Sequence, residues 1–248
     1  MSDEERVDYV NDHLTLTRRR EGLVFGTNAL LLAAYVRRGE KSRALELGGG
    51  TGIVSLLLAT REKVGQIECV EIQPAYAALA RRNVLDNGQE SRVTVTEADI
   101  RAYDTYGAGD FDLVVTNPPY MKTDIPACRS EEKQIARHEV HGGISDFLAA
   151  AKKKLRWGGR FFCVYLPERM TDLLTAMREN GIEPKRMTLV CASPGLPPSM
   201  LLVEGKRGGK PGLKVTRPLF IGGDLMARSE SADMTYILTK GRFPRDYE

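Results

Sequence analysis

Four consecutive residues, Asn117-Pro118-Pro119-Tyr120, carry the most specific chemistry in this sequence. An amide nitrogen, or the exocyclic amine of a purine, is a poor nucleophile because its lone pair is delocalised. An asparagine side-chain oxygen and the carbonyl of the next proline can accept both of its protons. The nitrogen then pyramidalises and aims its lone pair at an electrophilic methyl, by orientation and electrostatics with no strong base. Two prolines stiffen the loop that holds these acceptors, since each fixes φ and lacks an N–H. Tyr120 offers a face on which a planar target stacks, worth about 1–3 kcal/mol for a base. Asn117, Pro118 and Tyr120 are therefore the candidate catalytic residues, and Tyr120 is also a candidate substrate contact. Asn-Pro is ordinary turn chemistry as well, so the tetrad gains meaning only from a second site nearby.

That second site is Glu46-Leu47-Gly48-Gly49-Gly50-Thr51-Gly52. Glycines at 48, 50 and 52 allow a sharp turn and let a ligand approach the main chain. Taken alone the pattern is shared by nucleotide, flavin and adenosylmethionine sites. Glu46 separates them: it would repel a pyrophosphate but attract the α-ammonium of an amino-acid cofactor, directly or through water. Glu71, followed by Ile72, can accept from both hydroxyls of a ribose, although a nicotinamide cofactor would use such an acid too. Asp99, followed by Ile100, is a candidate acceptor for an adenine amino group, with a loop or capping aspartate as the plainer reading. The balance favours S-adenosylmethionine, with Asn117 facing the methyl donor.

The elements needed to position these residues are legible. Strands are expected at 44–47, 67–71, 93–96, 111–116 and 160–166. Helices are expected at 53–60, 74–87, 146–155 (closed by Gly158 and Gly159) and 170–180. Such alternation implies right-handed crossovers and a mostly parallel α/β sheet, with ligands beyond the carboxyl ends of the strands. The apolar runs 187–192 and 200–204 are separated only by a turn-rich stretch. They predict an antiparallel hairpin, since no crossover helix fits between them. Ahead of the core, 23–36 reads as a helix from Thr27 onward, capped by Thr27 or Asn28.

The tetrad and the 46–52 loop resemble those of amino-group-directed class I methyltransferases. The wider chain resembles the tRNA adenine-N6 methyltransferases that modify tRNA(Val). The likeness runs through Val24-Phe25-Gly26-Thr27-Asn28-Ala29-Leu30-Leu31-Leu32-Ala33 and Ala136-Arg137-His138-Glu139, then through Asp146-Phe147-Leu148 and Gly158-Gly159-Arg160-Phe161 to Met200-Leu201-Leu202-Val203-Glu204. It implies a Rossmann-like, seven-stranded, mostly parallel sheet with an antiparallel hairpin strand. It also implies S-adenosylmethionine as cofactor, and N6-methyladenosine beside the anticodon as product. The expected cofactor contacts are Thr27, Glu46, Gly48, Gly50, Gly52, Glu71, Ile72, Asp99, Ile100 and Asn117. The same tetrad chemistry serves rRNA guanine and protein glutamine methylation, and a catalytically silent RNA-binding module could keep the fold.

The remaining signals are weaker. Arg137 and His138 order the loop after the tetrad or touch substrate, and the His138/His141 spacing lacks the further ligands a metal needs. Lys206, Arg207 and Lys210, followed by Lys214 and Arg217 among glycines, read as a flexible basic loop suited to RNA phosphates. Lys152, Lys153 and Lys154 read as a solvated helix face, and Trp157 as packed beside a turn. The 248 residues carry a net charge of +3 and 42% hydrophobic residues, ordinary for a folded chain and too little excess charge to prove a nucleic-acid partner. Four dispersed cysteines, no signal-peptide pattern and no long apolar run predict a reduced, cytoplasmic enzyme without a membrane partner. The resemblance implies tRNA as substrate, and no metal and a monomer are expected. Three segments follow: an N-terminal extension at 1–40, a methyltransferase core at 41–205, and a basic loop with C-terminal tail at 206–248.

Overall fold

The structure, a computed structural model, describes residues 5–20, 26–37, 39–104, 109–119, 143–223 and 229–248. A hairpin of β1 (Glu5–Asn11) and β2 (Leu14–Arg19) precedes α1 (Thr27–Tyr35). The core then alternates β3 (Gly39–Leu47), α2 (Ile53–Thr60), β4 (Val64–Glu71), α3 (Pro74–Asp86), β5 (Val93–Glu97) and β6 (Phe111–Thr116). It continues with α4 (Ile144–Lys154), β7 (Leu155–Tyr165), α5 (Met170–Glu179), β8 (Ile182–Cys191) and β9 (Pro198–Arg207). Two-residue strands β10 (Lys214–Val215) and β11 (Leu219–Phe220) lead to α6 (Ala232–Lys240).

The main sheet runs β5-β4-β3-β6-β7-β9-β8, and β10 and β11 both add to β8 in parallel. Only β9 is antiparallel to its neighbours. This is the expected seven-stranded sheet with its hairpin, extended by the two short strands. Alternation along β6 divides the core: Leu113 and Val115 face one layer, which includes α1 and α2, and Val114 faces the other, under α4 and α5. Period-2 burial on both faces is what a sheet covered by helices on each side demands.

Several expectations change in detail. The helix at 146–155 is α4, which ends at Lys154. β7 begins at once because Leu155 pairs with Phe111. Gly158 and Gly159 therefore lie in the strand, where the register shifts, and a Cβ at Gly159 would stand 2.9 Å from the Arg156 carbonyl oxygen. Lys154 is not solvated: it is 1% exposed, lies 5.0 Å from the Tyr103 ring centre and pairs with Asp104 at 3.3 Å. Trp157 is 77% exposed, with its ring lying over Gly208. Lys206 and Arg207 close β9 rather than opening a loop, because their backbones continue the ladder with β8.

The N-terminal extension carries a hairpin that docks on the core. Leu14 and Leu16 are buried in the core. Asn83 of α3, itself fully buried, receives the Thr17 amide at 2.8 Å and donates to the carbonyls of Thr17 and Thr51, both at 3.0 Å. One side chain thus ties the hairpin, α3 and the glycine loop together, and every buried polar group involved has a partner. At the other end of the chain, Phe243 meets Tyr35 and Tyr247 edge-on, at ring separations of 5.2 and 5.3 Å.

Candidate functional site

The register of three strands builds the site. Leu47 of β3 pairs with Thr116 of β6 on one side and with Val70 of β4 on the other. The Thr116 hydroxyl also donates to the Leu47 carbonyl at 2.9 Å. The strands end nearly level, so Gly48 and Asn117, which follow β3 and β6, and Glu71, the last residue of β4, meet at one edge of the sheet. This is where the chain order jumps from one side of β3 to the other, the usual ligand crevice of such sheets.

The loop itself is held by backbone bonds. The amides of Gly48 and Gly49 both donate to the Val70 carbonyl, at 2.9 and 3.0 Å. Gly48, Gly50 and Gly52 take φ values of 71°, 55° and 82°, a region L side chains rarely adopt. Gly49 is required for a different reason: a Cβ there would stand 2.1 Å from the Cys69 sulfur. The ring of Phe147, from α4, lies against Gly48.

Glu71 braces this turn. Its Oε2 accepts the Gly50 amide at 2.8 Å and its Oε1 accepts the Gln73 amide at 2.9 Å. Burial, at 5% exposure, raises its pKa, and the surrounding backbone amides oppose that rise. With the Gly50, Gln73 and Ile72 amides on it, the carboxylate keeps acceptor capacity for a further donor such as a ribose hydroxyl. Ile72 is half-buried beside it, and Ile100 is buried at 8% exposure.

Glu46 stands beneath the loop at 2% exposure, beside Cys69 in the register. Its Oε2 accepts the Ser55 amide at 2.9 Å and the Ser55 hydroxyl as well. The carboxyl therefore serves the first turn of α2, where a helix dipole favours negative charge, and reaches a ligand above Gly49 only through its field or through water. Burial pushes its pKa up to about 7, against the Ser55 and Cys69 bonds that lower it. A carboxyl that binds its proton more tightly in the folded chain loses folding stability as pH rises from its ordinary value of 4.5 to about 7. Glu46→Gln keeps an oxygen for Ser55 and removes the titration. Its stability relative to the wild type should rise across that window by up to about 3 kcal/mol. Urea unfolding of both proteins at the two ends of the window measures this, and a pH-independent difference refutes it.

Asn117 follows β6 directly. The Asn28 side-chain amide donates to its Oδ1 at 3.4 Å, a contact across 89 residues that nothing in the sequence signals. Neither Thr27 nor Asn28 caps α1: Gly26 is the cap residue, with no side-chain bond. Asn28 instead turns its own Oδ1 to the Ala29 amide at 3.0 Å. Thr27 begins α1 near this contact, and Pro118 is buried behind Asn117. Asp99 is clasped by Arg101, whose Nε lies 2.9 and 3.0 Å from its two oxygens, so the loop-aspartate role is the one its geometry displays. Tyr120, Arg137, His138 and His141 lie outside the described residues.

Lys206, Arg207 and Lys210 are not at this site. β9 runs antiparallel to β7, and Lys206 pairs with Arg160 while Val203 pairs with Cys163, the partner of Thr116. At about 3.3 Å per residue, Lys206 lies roughly 10 Å or more down the sheet from Asn117. Arg207 is turned inward to the Leu155 carbonyl, and Arg217 is held by Asp233 and Asp246 at 2.6 Å each. Among the described residues no cluster of His, Cys, Asp and Glu could hold a metal, and no helix is long and apolar enough to cross a membrane.

Comparison with known proteins agrees with this architecture. Residues 20–179 match the methyltransferase small domain family. A tRNA1(Val) (adenine(37)-N6)-methyltransferase of Serratia proteamaculans is 38% identical over 158 residues, which span 63% of this chain and 58% of that one. A Haemophilus influenzae protein of the same name is 32% identical over 185 residues, covering 67% of this chain and 76% of its own. Among solved structures, one described as a predicted O-methyltransferase from Agrobacterium tumefaciens superposes with a TM-score of 0.72 at 22% identity, over 88% of this chain and 98% of that one. The P. horikoshii TYW2 structure, in complex with MeSAdo, has a TM-score of 0.60 at 14% identity, over 84% and 73%. These structural likenesses establish the fold. The sheet with its single antiparallel strand, the braced glycine turn and the match across most of the core lead to one assignment: the chain belongs to the methyltransferase small domain family.

Proposed function

We propose that this protein methylates N6 of an adenine in tRNA, near the anticodon, with S-adenosylmethionine as methyl donor. The observation that carries this reading is the level ending of β3, β4 and β6, which sets Asn117 against the glycine turn braced by Glu71. The residues fit that donor. The turn presents bare backbone, Glu71 has acceptor capacity left for a ribose, and Glu46, ionised above about pH 7, then places negative charge under the loop where an ammonium is favoured and a pyrophosphate is not. When bound, S-adenosylmethionine supplies an electrophilic methyl on a sulfonium.

Asn117 Oδ1 and the Pro118 carbonyl accept the two amine protons of the target, turning its lone pair out of conjugation. An amide oxygen has two lone pairs, so Oδ1 can serve the target while Asn28 steadies it. Tyr120 stacks on the base, and Arg137 and His138 contact the substrate. The names of the relatives support adenine in tRNA over the alternatives of rRNA guanine and protein glutamine. The buried free thiols of Cys69, Cys163 and Cys191 suit a reducing cytoplasm.

Incubation with undermodified total tRNA and labelled S-adenosylmethionine, followed by nucleoside mass spectrometry, tests the reading. Label in N6-methyladenosine is the expected result. Label in a guanine or in protein overturns the substrate, and RNA binding without any transfer overturns the activity.

A further inference from the structure

At the end of the sheet opposite the glycine turn lies a cavity of about 500 Å³. β3 and β4 begin there, at Gly39 and Val64, and run away from it toward the site. Six cationic side chains line it: Arg37 after α1, Arg61 and Lys63 before β4, Arg186 of β8, and Lys240 and Arg242 around the end of α6. Glu248 is the one acid among the lining residues. Glu204 stands behind the wall at 0% exposure and neutralises only part of it, pairing with Arg186 at 2.9 Å and Arg37 at 3.4 Å.

Apart from the two pairs with Glu204, the cations are held by backbone carbonyls and packing rather than by counter-charges. Lys63, 5% exposed, gives its three hydrogens to the carbonyls of Ala33, Ala34 and Val36 at 2.8, 2.8 and 2.6 Å. It thereby closes the C-terminal end of α1 with positive charge. Arg186 lies 3.8 Å from the Tyr35 ring centre and donates to the Tyr35 carbonyl at 2.9 Å. Arg61 donates to the Leu238 carbonyl at 3.3 Å and runs against Gly241, where a Cβ would stand 2.5 Å from its Cδ. Lys240 and Arg242 are exposed and form no ion pair with any described residue. The crowding is felt electrically: burial, then Arg61, Arg186 and Arg242, push Lys63 down to about 7.

We infer that this cavity is a binding site for a phosphoryl anion, separate from the methyl-transfer site. Six cations set against only two acids, Glu204 and Glu248, repel one another, and a multivalent anion relieves that repulsion more than any single carboxylate. Arginine forks match phosphate oxygens in pairs, and a lysine adds a mobile point charge at the rim. The volume suits a diphosphate, a triphosphate or a mononucleotide. Open to solvent at Lys240 and Arg242, it also admits a phosphate of an RNA backbone, so two sources share one chemistry.

Inorganic pyrophosphate is the probe, titrated calorimetrically into the full-length protein. Saturable binding is expected, and the double variant Lys240→Glu/Arg242→Glu should weaken it at least tenfold while leaving the S-adenosylmethionine dissociation constant unchanged. Arg61→Ala, which removes one half-buried cation of the wall, should weaken it as well and serves if the double variant is misfolded. A tRNA competitor separates the sources. Displacement of pyrophosphate by tRNA assigns the site to RNA phosphates, and retention assigns it to a free phosphorylated small molecule. No saturable binding to the wild type, or equal affinity in folded variants, overturns the site.

Discussion

Asn117→Ala should lower kcat by about 100-fold to 1,000-fold while changing the KM for tRNA little. The reason is where the interaction grows. On the proposed role, the amide oxygen would accept from the target nitrogen most strongly once that nitrogen has pyramidalised, so the loss should fall on the transition state rather than on binding. Asn117→Asp should keep more activity than the alanine variant, because a carboxylate still accepts. It also preserves an acceptor for Asn28, which approaches Oδ1 to 3.4 Å. Steady-state kinetics on the two variants, with cofactor affinity measured separately, test this. Near-wild-type turnover in both would reduce the tetrad to a structural turn.

Glu71→Ala should raise the dissociation constant for S-adenosylmethionine at least tenfold, equivalent to about 1.4 kcal/mol or more. Two losses combine. The proposed acceptor for ribose would disappear, and the Gly50 and Gln73 amides that Glu71 holds at 2.8 and 2.9 Å would be left without their partner. A fully buried donor stripped of its acceptor costs about 1–3 kcal/mol; these two are half-buried, so a part of that cost falls on the turn, which should loosen even without ligand. Glu71→Gln is the informative companion. Its amide has only one acceptor oxygen, and its NH2 would face one of those two N–H groups, so it should bind little better than the alanine variant. Calorimetric titration measures both, and an unchanged dissociation constant in Glu71→Ala would remove Glu71 from the cofactor site.

Sequence reading was most accurate where local rules decide. Ile53–Thr60 and Phe111–Thr116 stand at the expected residues, because a glycine turn starts one and apolar alternation marks the other. It erred where a distant partner overrides local preference. Gly158 and Gly159 look like a helix stop, yet pairing of Leu155 with Phe111 starts β7 before them. Lys154 looks like one of three solvated lysines, yet Tyr103 and Asp104 draw it inward. The polar segment at 8–20 gave no sign of docking, because its anchors are the side chains of Asn83 and Asn87, more than sixty residues on.

The same division applies to the site. Local pattern alone determined the glycine turn, the acids at the ends of two strands, the tetrad after a third and the order of helices and strands between them. Each of these depends on residues adjacent in the chain, through φ preferences, periodicity and the missing donor of proline. Only the tertiary structure decided that Glu46 serves Ser55 under the loop, that Asn28 reaches Asn117, and that Lys206 and Arg207 lie down the sheet from the turn. It alone gathered Arg37, Arg61, Lys63, Arg186, Lys240 and Arg242, spread over two hundred residues, around one cavity. Strand register and burial set those relations. Both are properties of the packed sheet, since a pairing between distant segments leaves no periodic trace in either one.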